Sequence, residues 1–202
     1  MNDEFFLVEK THYDAARGGV AGEAKYDCLR DIAAFNRINA MAAVAAAQHG
    51  WIGACFSAAE IITALYFDIA EPGGGDPRRD AVVLGKGHAA AMQYAALAGL
   101  GRIPVAALLQ YKQPGGPQAH ADVTTPGIDT NTGSLGQALS KCCGLAMAGR
   151  RRVFAVLGDG ELQEGQNYEA LMTAVHYGLE NLTVIVDRNG IQSDSAVADV
   201  TC

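Results

Sequence analysis

Paired cysteine spacing is the first thing this sequence lacks. Its five cysteines (Cys28, Cys55, Cys142, Cys143 and Cys202) are odd in number and form no C-x-x-C. A zinc ribbon or a disulfide framework is therefore not expected, and a reducing cytoplasm suits the chain. Blocks of basic residues are also missing. The formal charge is −7, and Arg150-Arg151-Arg152 is the single basic triplet. A nucleic-acid surface is thereby excluded, and the triplet reads as a solvated turn. No apolar run is long enough to span a bilayer, because the Ala-rich segment from Ile38 to Ala47 is short and interrupted. The acidic start MNDEFF has no secretory pattern. No G-x-G-x-x-G follows a first strand, which sets aside a nicotinamide-binding fold. Tryptophan occurs once, at Trp51.

Small residues are abundant, with 24 glycines and half of the chain hydrophobic. This composition suits a closely layered α/β domain. Residues 1–30 read as an arm with a short helix, and 31–202 as one domain. Residues 32–48 carry strong helix formers. "SAAEIITALYF" (57–67) begins with Ser and has Glu three residues later, the pattern of a capping box. "AVVLGKGHAA" reads as a buried strand, a glycine turn and a helix start. Residues 101–133 are rich in turns, and 134–149 are helical. A strand (152–157), a helix (about 165–178) and a strand (182–187) close the pattern. Continuous apolar strands around a helix imply a right-handed βαβ unit in a parallel sheet. Few strands are left after this, so a further chain is expected to complete the fold.

The chemistry concentrates in "VFAVLGDGELQEGQNYEALMTAVHYGLENLTVIVDRNGIQ". Ligands of open parallel sheets bind at the carboxyl ends of strands. Asp159 lies at one such end and Asn189 at the next, and one helix and a return strand fill the interval. A carboxylate and an amide oxygen are hard ligands that suit Mg²⁺ or Ca²⁺. With so few protein charges, the remaining ligands would be water and anionic oxygens such as those of a diphosphate. Gly158 and Gly160 allow backbone N–H groups to approach phosphate.

This stretch resembles the thiamine-diphosphate motif, G-D-G with an Asn beyond the next strand. "SAAEIITALYF", "LGKGHAA", "TPGIDTNTGSLGQALS" and the GDG block, in that order, resemble the N-terminal domain of transketolases in their two-subunit form. The resemblance implies the parallel-sheet, Rossmann-like thiamine-diphosphate fold with helices on both faces, shortened at the C-terminus. Asp159, Asn189 and the Ile191 carbonyl match the metal ligands. Gly158, Gly160, Glu161 and His88 match the diphosphate side, and Gly133 and Leu135 the aminopyrimidine side. His120 in "QAHAD" matches a substrate-contacting histidine. Glu164 matches an acid that links paired active sites. Trp51 stands where the family has a histidine that moves protons on sugar hydroxyls; an indole only donates.

The implied activity is transfer of a two-carbon ketol unit from a ketose to an acceptor, with thiamine diphosphate and Mg²⁺ (or Ca²⁺). A second, pyrimidine-binding subunit is required, in an α₂β₂ assembly. Two alternatives follow from the Trp51 departure. One is a dehydrogenase-like α chain that takes an oxoacid and hands the fragment to a lipoyl group or carrier-protein thiol. The other is a scaffold without catalysis.

Overall fold

The computed structural model describes residues 7–17 and 22–200; the acidic start MNDEFF and Cys202 lie outside them. Three parallel strands form its centre in the order β1 (Ala81–Leu84), β2 (Val153–Gly158), β3 (Leu182–Asp187). Ala81 pairs with Val153, which pairs with Leu182, and Gly158 pairs with Asp187. The strands alternate strictly. Val82, Leu84, Phe154 and Val156 face one core; Ala81, Val83, Val153, Ala155 and Leu157 face the other. Side chains of a strand point to opposite faces in turn, so an uninterrupted apolar strand must be covered on both sides.

The first face is covered by α2 (Glu23–Ala47), α3 (Ile52–Ser57), α4 (Ala59–Ala64) and α5 (Ala90–Gly99). All ten residues of α5 are buried. Its alanines and Gly99 let neighbouring helices approach closely, which explains the small-residue composition. The second face is covered by α6 (Ala138–Met147) and α7 (Gly165–His176). A short helix, α1 (Lys10–Ala16), is pinned to α2 through polar contacts. There the Tyr13 hydroxyl donates to Asn36 (2.9 Å), and Asn39 bridges both backbone groups of Val8. A hairpin of β4 (Ile191–Gln192) and β5 (Ser195–Ala196) and one turn, α8 (Val197–Val200), follow β3. No described helix is long and apolar enough to cross a membrane.

The strands and the βαβ unit lie where the sequence places them. Two local readings are corrected. Ser57 does not cap a helix: α4 starts at Ala59 without a side-chain cap. Its hydroxyl instead donates to the Asp187 carboxylate (2.6 Å), a charge-assisted bond that outweighs a neutral cap. The arginine triplet is not a solvated turn either. Arg150 is buried and pairs with buried Asp129 at 2.7 Å. Arg152 reaches buried Asp80 at 2.6 Å, and Arg151 reaches Glu71 at 3.0 Å. The triplet fastens the start of β2 to the loop before β1.

Removing one member of a buried ion pair leaves the other charge desolvated, at a cost of about 3–5 kcal/mol. Arg150→Met is expected to lower the urea unfolding free energy by roughly that amount. An unchanged unfolding midpoint would show that the Arg150–Asp129 pair contributes nothing.

Candidate functional site

The carboxyl ends of all three strands open into a cleft of about 500 Å³. Its wall includes Trp51, Lys86, His88, Leu135, Asp159 and Asn189. Pockets for small ligands and cofactors span about 300–1,000 Å³. The turn after β2 presents Asp159. Its Oδ1 accepts the Gly160 N–H (3.0 Å) and its Oδ2 accepts the Gly190 N–H (2.7 Å). The turn after β3 presents Asn189, whose Oδ1 accepts the Ile191 N–H at 2.9 Å and whose amide donates to Ser57 Oγ at 3.3 Å. Each of these oxygens keeps a lone pair. The two side chains that the sequence places at neighbouring strand ends are therefore tied together through the backbone of 189–191.

The two glycines around Asp159 do different things. A Cβ at Gly158 would have ordinary room, 3.6 Å from Lys86 Cγ. A Cβ at Gly160 would stand 2.6 Å from Gln192 Cβ and has no room. Gly160 is needed for close approach of the β4 strand, not for an unusual backbone angle, since its φ is −64°.

His88, Leu135, Gly158, Asp159, Gly160, Glu161, Asn189 and Ile191 all line this cleft. Three other expected residues do not. His120 stands behind Trp51, its ring centroid 5.5 Å from the indole. Gly133 backs His120, with φ +100° and no space for a Cβ beyond 3.0 Å from the ring. Glu164 precedes α7, outside the cleft wall. Glu161 is 4% exposed, and its carboxylate accepts the N–H groups of Gly136 and Gly158, both at 3.2 Å. It ties the turn after β2 to the loop before α6. Burial raises its pKa, and the two N–H donors oppose that rise.

Lys86 belongs to the site although no motif singles it out. It lies between two glycines in "GKGH", directly after β1, and is 3% exposed. Its ammonium pairs with buried Asp187 at the end of β3 and donates to Ser57 Oγ at 2.9 Å. The same strand-end rule that selects Asp159 selects both members of this pair. Trp51 is not a bystander: its ring lies 6.1 Å from His88 as well as against His120.

Burial, and then the charge of Lys86, lowers the pKa of His88; burial, and then the charge of Lys112, lowers that of His120. Both imidazoles are therefore neutral at pH 7. Because the unfolded chain takes up these protons first, the stability they contribute is present above about pH 6.5. It is lost as pH falls through the folded-state values. A pH titration of the imidazole resonances by NMR is expected to place both midpoints below about 6.5. A midpoint at or above that value for either ring contradicts the electrostatics described.

Comparison with known proteins agrees with this geometry. The family model described as transketolase, thiamine diphosphate binding domain, matches residues 29–202. The chain is 40% identical over 166 residues to one subunit of the apulose-4-phosphate transketolase of Actinobacillus succinogenes, covering 76% of this chain and 59% of that protein. It is 40% identical over 185 residues to the transketolase of Homo sapiens, covering 86% of this chain and 30% of that one. The crystal structure of transketolase from Campylobacter jejuni superposes with a TM-score of 0.78 at 28% identity, covering 86% of this chain and 30% of that one. The chain thus spans between about a third and three-fifths of the relatives it matches. Sheet order, strand-end chemistry and sequence agree: the chain belongs to the transketolase family, through its thiamine diphosphate binding domain.

Proposed function

We propose that this chain anchors the diphosphate end of thiamine diphosphate, with Mg²⁺, in a two-subunit transketolase-like enzyme that moves a two-carbon ketol unit from a ketose to an acceptor. The observation that carries this reading is the convergence of Asp159, Asn189 and the Ile191 backbone at one cleft beside Gly160. A carboxylate, an amide and a peptide carbonyl are the oxygen donors that Mg²⁺ takes, and they leave positions for phosphate oxygens. Among the described residues no group of three or more His, Cys, Asp or Glu side chains could hold a metal without such help. The relatives named above are transketolases or part of one, which supports ketol transfer over delivery to a lipoyl or carrier thiol.

The side chains have separate tasks in this reading. Asp159 and Asn189 supply metal oxygens, and Ile191 its carbonyl. Gly160, whose own N–H is held by Asp159, lets β4 close against this turn. Lys86 and Asp187 form a balanced ion pair at the cleft floor that fixes the strand ends around the site. The neutral imidazole of His88 can exchange a hydrogen bond with the diphosphate side. His120 sits on the substrate side, behind Trp51. Leu135 is a half-exposed apolar edge for the cofactor's ring. Thiamine diphosphate, when bound, would supply the electron sink that C–C cleavage needs. Glu164 is assigned to the contact with a second copy. A partner for the pyrimidine end completes the site, in keeping with the Actinobacillus relative, which is itself one subunit of its enzyme. An α₂β₂ assembly in the cytoplasm belongs to the same proposal.

Calorimetric titration of thiamine diphosphate tests the reading. Binding is expected to require Mg²⁺ and to weaken roughly tenfold or more, about 1.4 kcal/mol, in Asp159→Ala and in Asn189→Ala. Equal affinity in the wild type and both variants would remove the metal assignment. The partner is tested separately, by ketol transfer that appears only when the pyrimidine-binding subunit is present; transfer by the chain alone would contradict the divided site.

A further inference from the structure

The opposite end of the sheet carries a second cavity, of about 550 Å³, that the cofactor reading does not use. It lies beside the residues that lead into β1, whereas the cleft opens after β1 ends. The extended chain from Asp80 to Gly85 is about 16 Å long, so the two sites are well separated. Arg78, Arg79 and Arg102 line the cavity, together with Glu71 and Asp76. The charges around it do not cancel. Arg78 grips Asp76 through Nε at 3.1 Å and a terminal nitrogen at 3.0 Å. Glu71 is shared, with Arg151 at 3.0 Å and Arg79 at 3.4 Å. Asp80, buried below, is held by Arg152. Arg102 is exposed and forms no salt bridge among the described residues; its guanidinium makes one long hydrogen bond, 3.4 Å, to the Pro72 carbonyl.

Five arginines thus meet three carboxylates, in a chain whose formal charge is −7. All the cations are arginines, whose planar fork gives two parallel hydrogen bonds to a carboxylate or a phosphoryl group. The wall is also held in place before any ligand arrives. Arg102 follows α5 through a Schellman turn: Gly101 has φ +70°, its N–H donates to the Ala98 carbonyl and the Arg102 N–H to the Leu97 carbonyl, both at 2.8 Å. The loop that carries Arg78 and Arg79 is fixed from inside. Buried Arg150 donates to the carbonyls of Asp76 and Arg79, and Asp129 accepts the Gly75 N–H at 2.8 Å. Gly74 packs on the Gly127 backbone, with no room for a Cβ. A wall fixed in this way costs a ligand little ordering of the backbone.

We propose that this arginine-lined cavity at the amino ends of the strands is an oxyanion-binding site, separate from the cofactor cleft, for a small molecule carrying a phosphoryl or carboxylate group. Arg102 holds the anion with its open donors. Arg78 and Arg79 add the guanidinium N–H groups that Asp76 and Glu71 leave free, since each guanidinium has five. The site needs no thiamine diphosphate and stands independently of the reading of the cleft.

Two-dimensional NMR of the isotope-labelled full chain tests this. Inorganic phosphate and citrate are titrated in turn, with chloride keeping the ionic strength constant. The arginine Nε–H signals are followed together with the backbone N–H signals of Gly101, Gly160 and Gly190. The expected result is a saturable shift of the Arg102 signal and of Arg78 or Arg79 with phosphate, citrate or both. Arg102→Gln is expected to weaken that binding roughly tenfold, read from the remaining arginine signals and Gly101. Arg30→Gln, which removes an exposed arginine paired with Asp27 elsewhere on the surface, is expected to leave it unchanged. Arg78→Gln gives the same information should Arg102→Gln fail to fold. Three results overturn the proposal: shifts that rise linearly without saturating, an anion affinity unchanged in both Arg102→Gln and Arg78→Gln, or shifts confined to Gly160 and Gly190, which would put the anion in the cofactor cleft. Calorimetric affinity for thiamine diphosphate with Mg²⁺ is expected to be equal in the wild type and Arg102→Gln, so the two sites are judged separately.

Discussion

The buried pair of Lys86 and Asp187 is the constraint on which the cleft depends. The two residues leave the carboxyl ends of the outer strands, with β2 between them. Neighbouring strands lie about 4.8 Å apart, so the pair bridges about 10 Å of sheet. Only a long side chain can do this, and Lys86 does so by running past Gly158, where no side chain rises. Ser57, from the helix layer on the first face, joins the pair and ties that layer to the strand ends. Register, helix placement and cleft floor are therefore fixed by one set of polar contacts. A buried ion pair gives little net stability compared with apolar packing, but breaking it is costly. Its value here is geometric.

The same contacts set the electrostatics. A lysine beneath the cleft suits an anionic ligand, and the nearby aspartate makes that charge tolerable in the interior. His88 and His120 are held neutral by burial and by two lysines on different elements. Asp159 is positioned by backbone N–H groups, and Asn189 by a backbone N–H and by Ser57, which leaves oxygen lone pairs available. The cleft thus sets a balanced buried ion pair below and oxygen donors above.

Much of this is legible in the chain. Uninterrupted apolar strands announce a sheet covered on both faces, and the strand-end rule selects Asp159 and Asn189. Other parts are hidden because their meaning comes from distant partners. Ser57 has the local signature of a helix cap, yet its hydroxyl answers to a carboxylate far along the chain. The arginine triplet reads as a polar turn, yet it meets acids from the loop before β1 and from the turn-rich segment. No local pattern in "GKGH" marks Lys86 as buried, and only the fold brings Asp187 to it. His120 and Gly133 lie behind the cleft wall, in a segment without periodicity, so no local pattern reveals their depth.

The sequence by itself determined the strand order of chemistry: an acid between glycines at one strand end, an amide beyond the next, and apolar runs that force a parallel sheet. These follow from local rules, the alternation of strand side chains and the need to bury apolar faces. Only the tertiary structure decided which charges are paired and which glycine has no room for a Cβ. Those facts depend on long-range contacts, where a side chain's partner is set by the packing of layers rather than by its neighbours in sequence.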